Sequence, residues 1–559
     1  MPDASSEMVP DRPPRAAATL VVVRDTAEGI EVLLSRRAER GDHNSGAWVF
    51  PGGLVDPGDR AGHPFCAGLN DASASVRLGV DEGGLDYFVT AARECFEESG
   101  LLFASDASGE LVRLDGDAGA ALRAWRGPLH HHQRTIGDLC HEFGLRLAVD
   151  RLHYLSHWLT PPGRFKRFDT RFFIAAVPPT QTAAFDGTET VEQRWLRPAE
   201  AVAHSSGLKL LTPTSKTLEL IGRHASVGAL LAWASSKRTV TLTLPRIATG
   251  SRGAQPVTPD EHAYSEIGRL DPDCAGTACY DIQPGVGVRL SPRLIRVTAN
   301  NGSMMTGPGT NTYLVGGGAG NEWAVIDPGP LDDRHVEAVL AAAPGPIRWI
   351  FATHTHHDHS PASMMLAART GAVVLGRLPE HPEWQDASFM PGTHLVGGER
   401  FTLTEGATLR AIHTPGHASN HLCYLLEEEK LLFTGDHVMQ ASTVVINPPD
   451  GDMAAYIASL RSLVELDLDW LAPGHGFLMA APREAMEWII AHRLAREAKV
   501  LAAVRELGSA NAEALLARVY ADVPPRLHQM AMRSLTAHLL KLRRDGVVAD
   551  TGAGWVSTA

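Results

Sequence analysis

The chain has 559 residues, a length that predicts about three or four domains. The apolar fraction of 44% and the charged fraction of 21% are ordinary for a globular protein. The net charge of −13 excludes non-specific nucleic-acid binding over most of the surface. No apolar run reaches the roughly 18 residues of a membrane-spanning helix, so no contact with a membrane is expected. The N-terminus lacks the basic-then-apolar pattern of a signal peptide, and the six cysteines form no disulfide pattern. We therefore expect a cytoplasmic protein with free thiols.

In chain order, residues 1–16 are Pro-rich and predict a flexible tail, and residues 19–23 and 31–34 predict two short strands. Further on, Glu94, Glu97 and Glu98 fall at positions i, i+3 and i+4 of a predicted helix, so their carboxylates share one face. Like charges there destabilise the helix unless a cation offsets them. Oxygen ligands favour magnesium or manganese, which also hold pyrophosphate oxygens. The alternative is a solvated acidic helix.

These glutamates belong to a pattern that resembles the Nudix hydrolase box. The matching residues are Gly53, Arg93, Glu94, Glu97, Glu98 and Gly100. Asp59 stands where the family usually has Glu, and residues 60–92 form a spacer much longer than usual. This enlarged box resembles the peroxisomal coenzyme A diphosphatase branch.

The resemblance implies a Nudix αβα sandwich over residues 17–225 that cleaves nucleoside-diphosphate-linked metabolites. It implies that Glu97 and Glu98 hold magnesium, that Glu94 is a ligand or catalytic base, and that Arg93 orients the carboxylates. The long spacer leaves a second interpretation open, in which the catalytic loop is displaced and this domain is a ligand sensor without catalysis. The run His130–His131–His132 is interpreted as a solvated loop.

Residues 226–290 lack clear helical periodicity and contain several glycines and prolines, so they predict a linker. After it, residues 354–359 place four histidines and one aspartate directly behind an apolar stretch. Along an extended segment, alternate side chains share one side, which groups His354, His356 and Asp358 and turns His359 to a neighbouring point. A polar loop with spare histidines is the alternative.

Three further candidate ligands, His417, Asp436 and His475, each follow an apolar run that predicts a strand. Imidazole and carboxylate ligands without thiolate suit zinc, manganese or iron, and availability favours zinc.

Together these residues resemble the metallo-β-lactamase superfamily, whose αββα sandwich is expected over residues 291–493. The resemblance implies two zinc ions, the first bound by His354, His356 and His417. Asp358, His359 and His475 would bind the second, and Asp436 would bridge the two. Asp358 would also take up a proton, and Asp327 matches the family's early structural aspartate. His359 and Asp436 are closer to the glyoxalase II-like and nuclease-like branches than to true β-lactamases.

Residues 494–559 predict a small winged helix, in which three helices precede two strands. This tail has nine Lys or Arg against six Asp or Glu, and its basic residues on or beside the third helix are Arg533, Lys541, Arg543 and Arg544. A basic helix can contact phosphates, or it can be the solvated face of an oligomerisation or lid module.

A metal domain followed by a winged helix resembles the beta-lactamase-like-protein-two group, whose animal members are single-strand-preferring endoribonucleases. The predicted substrate is therefore single-stranded RNA or a small molecule. A glutathione or coenzyme A thioester is the main alternative to the phosphodiester. The sequence leaves the oligomeric state open.

Overall fold

The computed structural model describes residues 13–39, 45–440 and 442–558. It divides into two compact units, one formed by Met1–Ile247 with Asp273–Ala275, and the other by Ala248–Pro272 with Gly276–Ala559. Most of the predicted N-terminal tail lies outside the described residues, and its last residues already belong to the first strand, which begins at Arg15. Among the helices of the described ranges, none combines the length and apolarity needed to cross a membrane.

The first unit is built on a mixed sheet. The strands of this unit are β1 (Arg15–Thr26), β2 (Gly29–Arg37), β3 (Trp48–Val49), β4 (Gly52–Leu54), β5 (Ala104–Ser105), β6 (Arg146–Leu147), β7 (His153–Leu159), β8 (Phe168–Ala176), β9 (Thr190–Leu196) and β10 (Leu242–Thr243). Strands β5 and β6 form a separate two-stranded sheet. Its helices are α1 (Asp71–Leu78), α2 (Gly84–Ser99), α3 (Gly116–Arg123), α4 (Arg126–His130), α5 (Ile136–Phe143), α6 (Pro198–Val202), α7 (Thr212–Ile221) and α8 (Val227–Ser235). The main sheet has the order β10-β7-β8-β1-β2-β3, with β4 also paired to β1 and β9 to β2.

Side chains of β1 alternate between two cores on opposite faces of this sheet. Leu20 and Val22 point into the core that includes α2, whereas Val21 and Val23 point into the core that includes α7 and α8. Helices therefore cover both faces of the sheet, which confirms the predicted αβα sandwich.

The second unit contains two facing sheets. The first sheet is formed in sequence order by β13 (Gly287–Ser291), β14 (Leu294–Thr298), β15 (Asn311–Gly317), β16 (Glu322–Ile326), β17 (Ile347–Phe351), β18 (Val373–Gly376) and β19 (Thr393–His394). The second is formed by β20 (Arg400–Thr404), β21 (Ala407–His413), β22 (Leu422–Leu426), β23 (Leu431–Gly435) and β24 (Trp470–Pro473).

Helices flank these sheets, and side chains such as Phe351 and Phe433 fill the core between them. Besides the strands of the two sheets, this domain contains the short strand β12 (Gln255–Val257) and the helices α9 (Tyr264–Leu270), α10 (Asp333–Ala342), α11 (Ser363–Thr370) and α12 (Met453–Val464). Helices α10 and α11 pack on the outer face of the first sheet, and α12 packs on the outer face of the second. This arrangement is the predicted αββα sandwich.

The predicted linker, residues 226–290, contains packed secondary structure and is divided between the units. Helix α8 buries Val227, Leu230 and Ala234 in the core of the first unit. Strand β11 (Arg246–Ala248) lies where the second unit begins, and α9 buries Ile267 in that unit. These elements are short, and loops with glycine and proline interrupt them, so the sequence shows no clear periodicity.

The winged helix forms the end of the second unit. It comprises α13 (Pro482–Leu507), β25 (Ser509–Ala510), α14 (Ala512–Val519), α15 (His528–Arg544), β26 (Val548–Asp550) and β27 (Trp555–Ser557). Helix α13 has 26 residues and is shared, because its first half packs on the metal domain and its second half packs in the winged-helix core. The predicted order of three helices and two strands is confirmed, with β25 as an additional strand.

Candidate functional sites

The histidine-rich segment follows β17, and the other candidate ligands follow strands of the second sheet. His417 comes after β21, Asp436 directly after β23, and His475 two residues after β24. The ends of strands from both sheets therefore deliver all seven predicted ligands to one place.

Three of these histidines face one another. Nδ1 of His356 lies 2.9 Å from Nε2 of His354 and 3.0 Å from Nε2 of His417. Burial and the neighbouring rings, His417 first among them, lower the pKa of His356 to about 3, which favours the neutral form of that imidazole. Neutral imidazoles with nitrogens turned to a common point can bind a divalent cation.

A second group lies beside the first. Nε2 of His359 is 3.4 Å from Oδ2 of Asp358 and 3.4 Å from Oδ1 of Asp436, and Nε2 of His475 is 3.2 Å from the same Asp436 oxygen. Oδ2 of Asp436 points the other way, to 3.8 Å from Nε2 of His417. Asp436 is therefore positioned between the two groups, as a bridging carboxylate must be.

Hydrogen bonds on the far side of the rings fix their orientation. Nδ1 of His359 donates to Asp327 at 2.9 Å, and Nδ1 of His475 donates to the carbonyl of Gly309 at 3.1 Å. Nδ1 of His417 donates to the carbonyl of Val445 at 2.8 Å. In each ring Nδ1 is therefore engaged away from the site, and Nε2 faces it.

The site passes a direct test of fit for metal ions. Nε2 of His359, Nε2 of His475 and Oδ1 of Asp436 are buried and lack hydrogen-bond partners among the described residues. Buried polar atoms without partners are costly, and a cation among them would satisfy all three. Burial would raise the pKa of Asp436, but His475 and His359 outweigh it and hold that pKa well below its ordinary value.

Two buried histidines near the site were not singled out from the sequence. The His421 ring stacks on that of His354 with centroids 5.1 Å apart, and the His437 ring lies 5.4 Å from His421. His437 directly follows Asp436, which is the signal that could have identified it.

The second predicted site lies on α2 in the first unit. The Arg93 guanidinium donates to Asp59 at 2.7 Å, to Glu94 at 2.9 Å and to Glu97 at 3.2 Å. Glu98 instead accepts from the backbone N–H of Gly52 at 3.0 Å. Arg93 thus orients two of the three glutamates and joins them to the Asp59 loop.

The long spacer does not displace the glycine loop. A methyl group on Gly53 would lie 2.3 Å from Oε1 of Glu94, so strand β4 is in close contact with α2. The spacer instead folds outside the loop as a 3-10 helix, Pro57–Phe65, then α1 and the first half of α2. The glycine loop and the glutamate helix of the box are therefore in contact despite the long spacer.

Burial dominates the electrostatics of this box. It raises the pKa of Glu94 to about 7, against the lowering effect of Arg93, and it raises the pKa of Glu98 well above its ordinary value. Buried carboxylates with raised pKa values are the groups that a divalent cation would stabilise in charged form. His130, expected in a solvated loop, ends α4 with Nδ1 4.0 Å from Oε2 of Glu97.

Family models match three parts of the chain. Residues 83–215 match the NUDT19 Nudix domain, residues 305–475 the metallo-beta-lactamase superfamily, and residues 512–555 the beta-lactamase associated winged helix domain. Both catalytic folds imply divalent metal ions.

Curated relatives are similar to about half of the chain. The atrochrysone carboxyl ACP thioesterase of Aspergillus chevalieri is 33% identical over 304 residues, which cover 52% of this chain and 90% of that protein. The beta-lactamase-like protein 2 homolog of Drosophila melanogaster is 33% identical over 276 residues, 46% of this chain and 90% of that protein. A NUDIX hydrolase structure from Alicyclobacillus acidocaldarius covers 41% of this chain and 97% of its own, with 25% identity and a TM-score of 0.34.

The geometry of the candidate ligands, the matched families and the two curated relatives agree, and the chain belongs to the metallo-β-lactamase superfamily as a hydrolase with an N-terminal Nudix domain and a C-terminal winged helix.

Proposed function

We propose that the second unit is a binuclear zinc hydrolase that cleaves acyl thioesters. The observation that carries the proposal is a group of three buried atoms, Oδ1 of Asp436, Nε2 of His359 and Nε2 of His475, which face one another. Among the described residues, none of these three atoms has a hydrogen-bond partner. A ligand set of imidazoles and carboxylates suits zinc.

The side chains divide between two ions. His354, His356 and His417 would hold the first, and their ring nitrogens lie within 4.8 Å of one another. Asp358, His359 and His475 would hold the second under the same limit. Asp436 would contribute one carboxylate oxygen to each. Bound zinc supplies Lewis acidity, which polarises a substrate carbonyl and makes water more acidic.

Asp358 is the residue suited to proton transfer. Its side chain is 27% exposed, against 13% for Asp436, so it is the more accessible carboxylate of the site. Thr310 Oγ1 donates to its Oδ2 at 3.2 Å and fixes the side chain beside the ligands. Asp358 would accept the proton of the attacking water and deliver it to the departing thiolate.

The relatives and the tail favour a thioester over RNA. Proteins similar to this chain that are named as thioesterases include the Aspergillus chevalieri protein and thioesterase pkgB of Emericella nidulans. In the tail, Lys541 pairs with Glu497 and Asp545, and Arg544 pairs with Asp452. These two cations are partly neutralised within the unit, which weakens the case for phosphate contacts.

Single-stranded RNA is the second candidate substrate. Arg533 and Arg543 are exposed on α15, and the Drosophila relative carries the name beta-lactamase-like protein 2 homolog. A phosphodiester can be cleaved by the same pair of metal ions. The substrate test below therefore includes RNA.

The Nudix domain would add a separate pyrophosphohydrolase activity that depends on magnesium or manganese. Glu97 and Glu98 would hold the ion, and Glu94, with its pKa raised to about 7, would act as ligand or base. The contact of Gly53 with Glu94 supports a catalytic box over a sensor that has lost its loop.

The test uses the purified full chain with zinc and three probes, which are acetyl-coenzyme A, octanoyl-coenzyme A and a labelled single-stranded RNA. We expect release of free thiol by the wild type, loss of that release in His356→Ala, and normal release in Glu97→Gln, whose change lies in the Nudix box. RNA cleavage that is lost in His356→Ala, without thiol release, would make this unit a phosphodiesterase. Metal analysis of Asp436→Asn should give fewer than two zinc ions per chain, and an unchanged content would contradict the bridging role.

A further inference from the structure

Of the three histidines proposed for the first metal site, His417 is the one that follows a strand of the second sheet. His354 and His356 lie together on the segment after β17, whereas His417 lies on a separate loop after β21. Its ring rotation is fixed by the hydrogen bond from Nδ1 to the carbonyl of Val445. The completeness of the first site therefore depends on what holds the His417 loop and the Val445 segment.

The Val445 segment is held by the helix that leads into the winged helix. Arg493, in α13, is 4% exposed, and its Nη2 donates to the carbonyl of Val444. Its guanidinium also lies 5.7 Å above the ring of Tyr456. The hydroxyl of Tyr456 donates to the carbonyl of His437 at 2.8 Å, one residue from Asp436. Arg493 thus contacts the segments that support both His417 and Asp436.

The His417 loop is held from its other side by α15. Arg544, at the end of α15, forms an ion pair with Asp452. Asp452 caps α12 by accepting from the N–H of Ala454 at 2.8 Å, and its own N–H donates to the carbonyl of Gly416 at 2.8 Å. Gly416 immediately precedes His417.

The His417 loop also packs tightly against α12. Gly416 has φ +144°, and a methyl group on it would lie 2.3 Å from Cα of Tyr456. Helix α12 and the loop must therefore move together. A displacement of Asp452 or Tyr456 should therefore also shift His417.

We propose that the winged helix, together with the first half of α13 that leads into it, is a positioning module for the first metal site, acting on His417 through Arg493 and Arg544. The inference rests on the proposed role of His417 as a metal ligand. Three links support it: the Arg493 bond to Val444, the Arg493 contact with Tyr456, and the Arg544 pair with Asp452. Arg493 and Arg544 are positioning residues, because neither contacts the candidate ligands directly. Loss of a group that hydrogen-bonds a metal ligand directly weakens metal affinity about 10- to 100-fold, so groups one step further out should act at or below the lower end of that range.

The test measures the rate at which the zinc-loaded full chain releases zinc to an excess of a chromophoric chelator. His417→Ala identifies the zinc that belongs to the first site, because that fraction should be absent or released at once. In Arg493→Gln we expect release of this fraction to be about 10-fold faster than in the wild type. The Arg544→Gln change should accelerate it by a few-fold, because this ion pair is more exposed.

Matched variants separate positioning from general destabilisation. Arg543→Gln removes the neighbouring, exposed cation and should release zinc at the wild-type rate. Arg544→Lys can still pair with Asp452 and should restore slow release. Asp452→Asn keeps an N-cap side chain but loses the ionic partner, so it should resemble Arg544→Gln. Circular dichroism and thermal unfolding of the metal-free proteins show which variants fold, and the Arg544 and Asp452 variants carry the test if Arg493→Gln does not.

Equal release rates in Arg544→Gln, Asp452→Asn and Arg543→Gln would overturn the positioning role. If His417→Ala itself bound and released zinc like the wild type, the ligand assignment of the proposed function would be wrong, and the inference would fail with it. The two failures are therefore distinguishable.

Discussion

Asp327 accepts a hydrogen bond from Nδ1 of His359 at 2.9 Å, and the same carboxylate accepts from the N–H and hydroxyl of Thr353 at 2.7 and 2.8 Å. One buried aspartate therefore fixes the residue before His354 and the ring of His359. Burial would lower the pKa of His359, but Asp358, Asp436 and Asp327 outweigh it and raise that pKa well above its ordinary value. Asp327 thus links the two proposed metal sites although it lies outside both.

The Asp327→Asn change should weaken metal binding. An amide can accept from Thr353 but cannot provide the negative charge that makes the His359 ring more basic, so we expect zinc affinity to fall about 10- to 100-fold. Competition with a chelator of known affinity measures the change. Asp333→Asn, at an exposed position of α10, is the matched control. Equal affinities in the two variants would show that Asp327 has no influence on the metal ions.

Helix α9 leads to a second prediction, because its Glu266 supports the loop that contains His475. Glu266 pairs with both terminal nitrogens of Arg296 at 2.6 and 2.9 Å and accepts from the N–H of Leu478 at 2.8 Å. Both side chains of the pair are buried, so Glu266→Gln leaves an uncompensated guanidinium and should destabilise the second unit by about 3–5 kcal/mol. Urea unfolding followed by circular dichroism measures this free energy.

The exposed pair of Arg369 and Glu337 is the control for this prediction. Glu337→Gln should change the free energy of unfolding very little, because solvent screens the exposed charges. If Glu266→Gln lowered the free energy of unfolding by the same small amount, the contact of α9 with the metal domain would add little to the stability of the second unit.

How much of the structure the sequence predicts depends on how far apart along the chain the contacting residues lie. The candidate ligands could be predicted because each is a polar residue at or a few positions beyond the end of an apolar strand, and His354, His356 and Asp358 share one segment. The winged helix was predictable from helical periodicity. The contacts of Glu266 with Leu478 and of Arg544 with Asp452 span 212 and 92 residues, and no local pattern indicates them.

The same reasoning explains the predicted linker and the basic tail. Ile267 and Glu266 have no distinctive local pattern, and only the folded second unit buries Ile267 in a hydrophobic cluster and gives Glu266 its partners, Arg296 and the Leu478 N–H. Charge counting predicts a basic α15 but cannot reveal that Lys541 and Arg544 face carboxylates. The sequence likewise predicts a solvated His130, because Glu97, which lies 4.0 Å from it in the folded unit, is distant along the chain.

A pH-dependent prediction follows from Glu94, whose pKa burial raises to about 7 from an ordinary value of 4.5. Between these values the unfolded chain loses the proton while the folded chain keeps it, so stability falls as the pH rises across this window. Above pH 7 the full cost is on the order of 3 kcal/mol, at about 1.4 kcal/mol per pKa unit. Glu94→Gln should therefore raise the unfolding temperature at pH 8 without divalent metal and have little effect at pH 4.5.

Thermal unfolding from pH 4.5 to pH 8 measures this difference, with Glu110→Gln as an exposed control in the same unit. Magnesium should stabilise the wild type at pH 8 more than it stabilises Glu94→Gln, because the ion would offset the charge on Glu94. A stabilisation by Glu94→Gln that is equal at both pH values would exclude ionisation as its cause.

The last prediction concerns Gly53, where the loop of the Nudix box touches its helix. Because a methyl group there would lie 2.3 Å from Oε1 of Glu94, Gly53→Ala must displace either strand β4 or the Glu94 carboxylate. We expect loss of the proposed magnesium-dependent pyrophosphatase activity, with a stability cost of about 1–3 kcal/mol. Gly127→Ala is the control, because nothing lies within 4 Å of the added methyl group. Pyrophosphatase activity is measured on a nucleoside-diphosphate-linked probe, with thiol release by the second unit followed in the same samples. Retained pyrophosphatase activity in Gly53→Ala would mean that the position of Glu94 does not limit that reaction, whereas loss of both activities would indicate general unfolding.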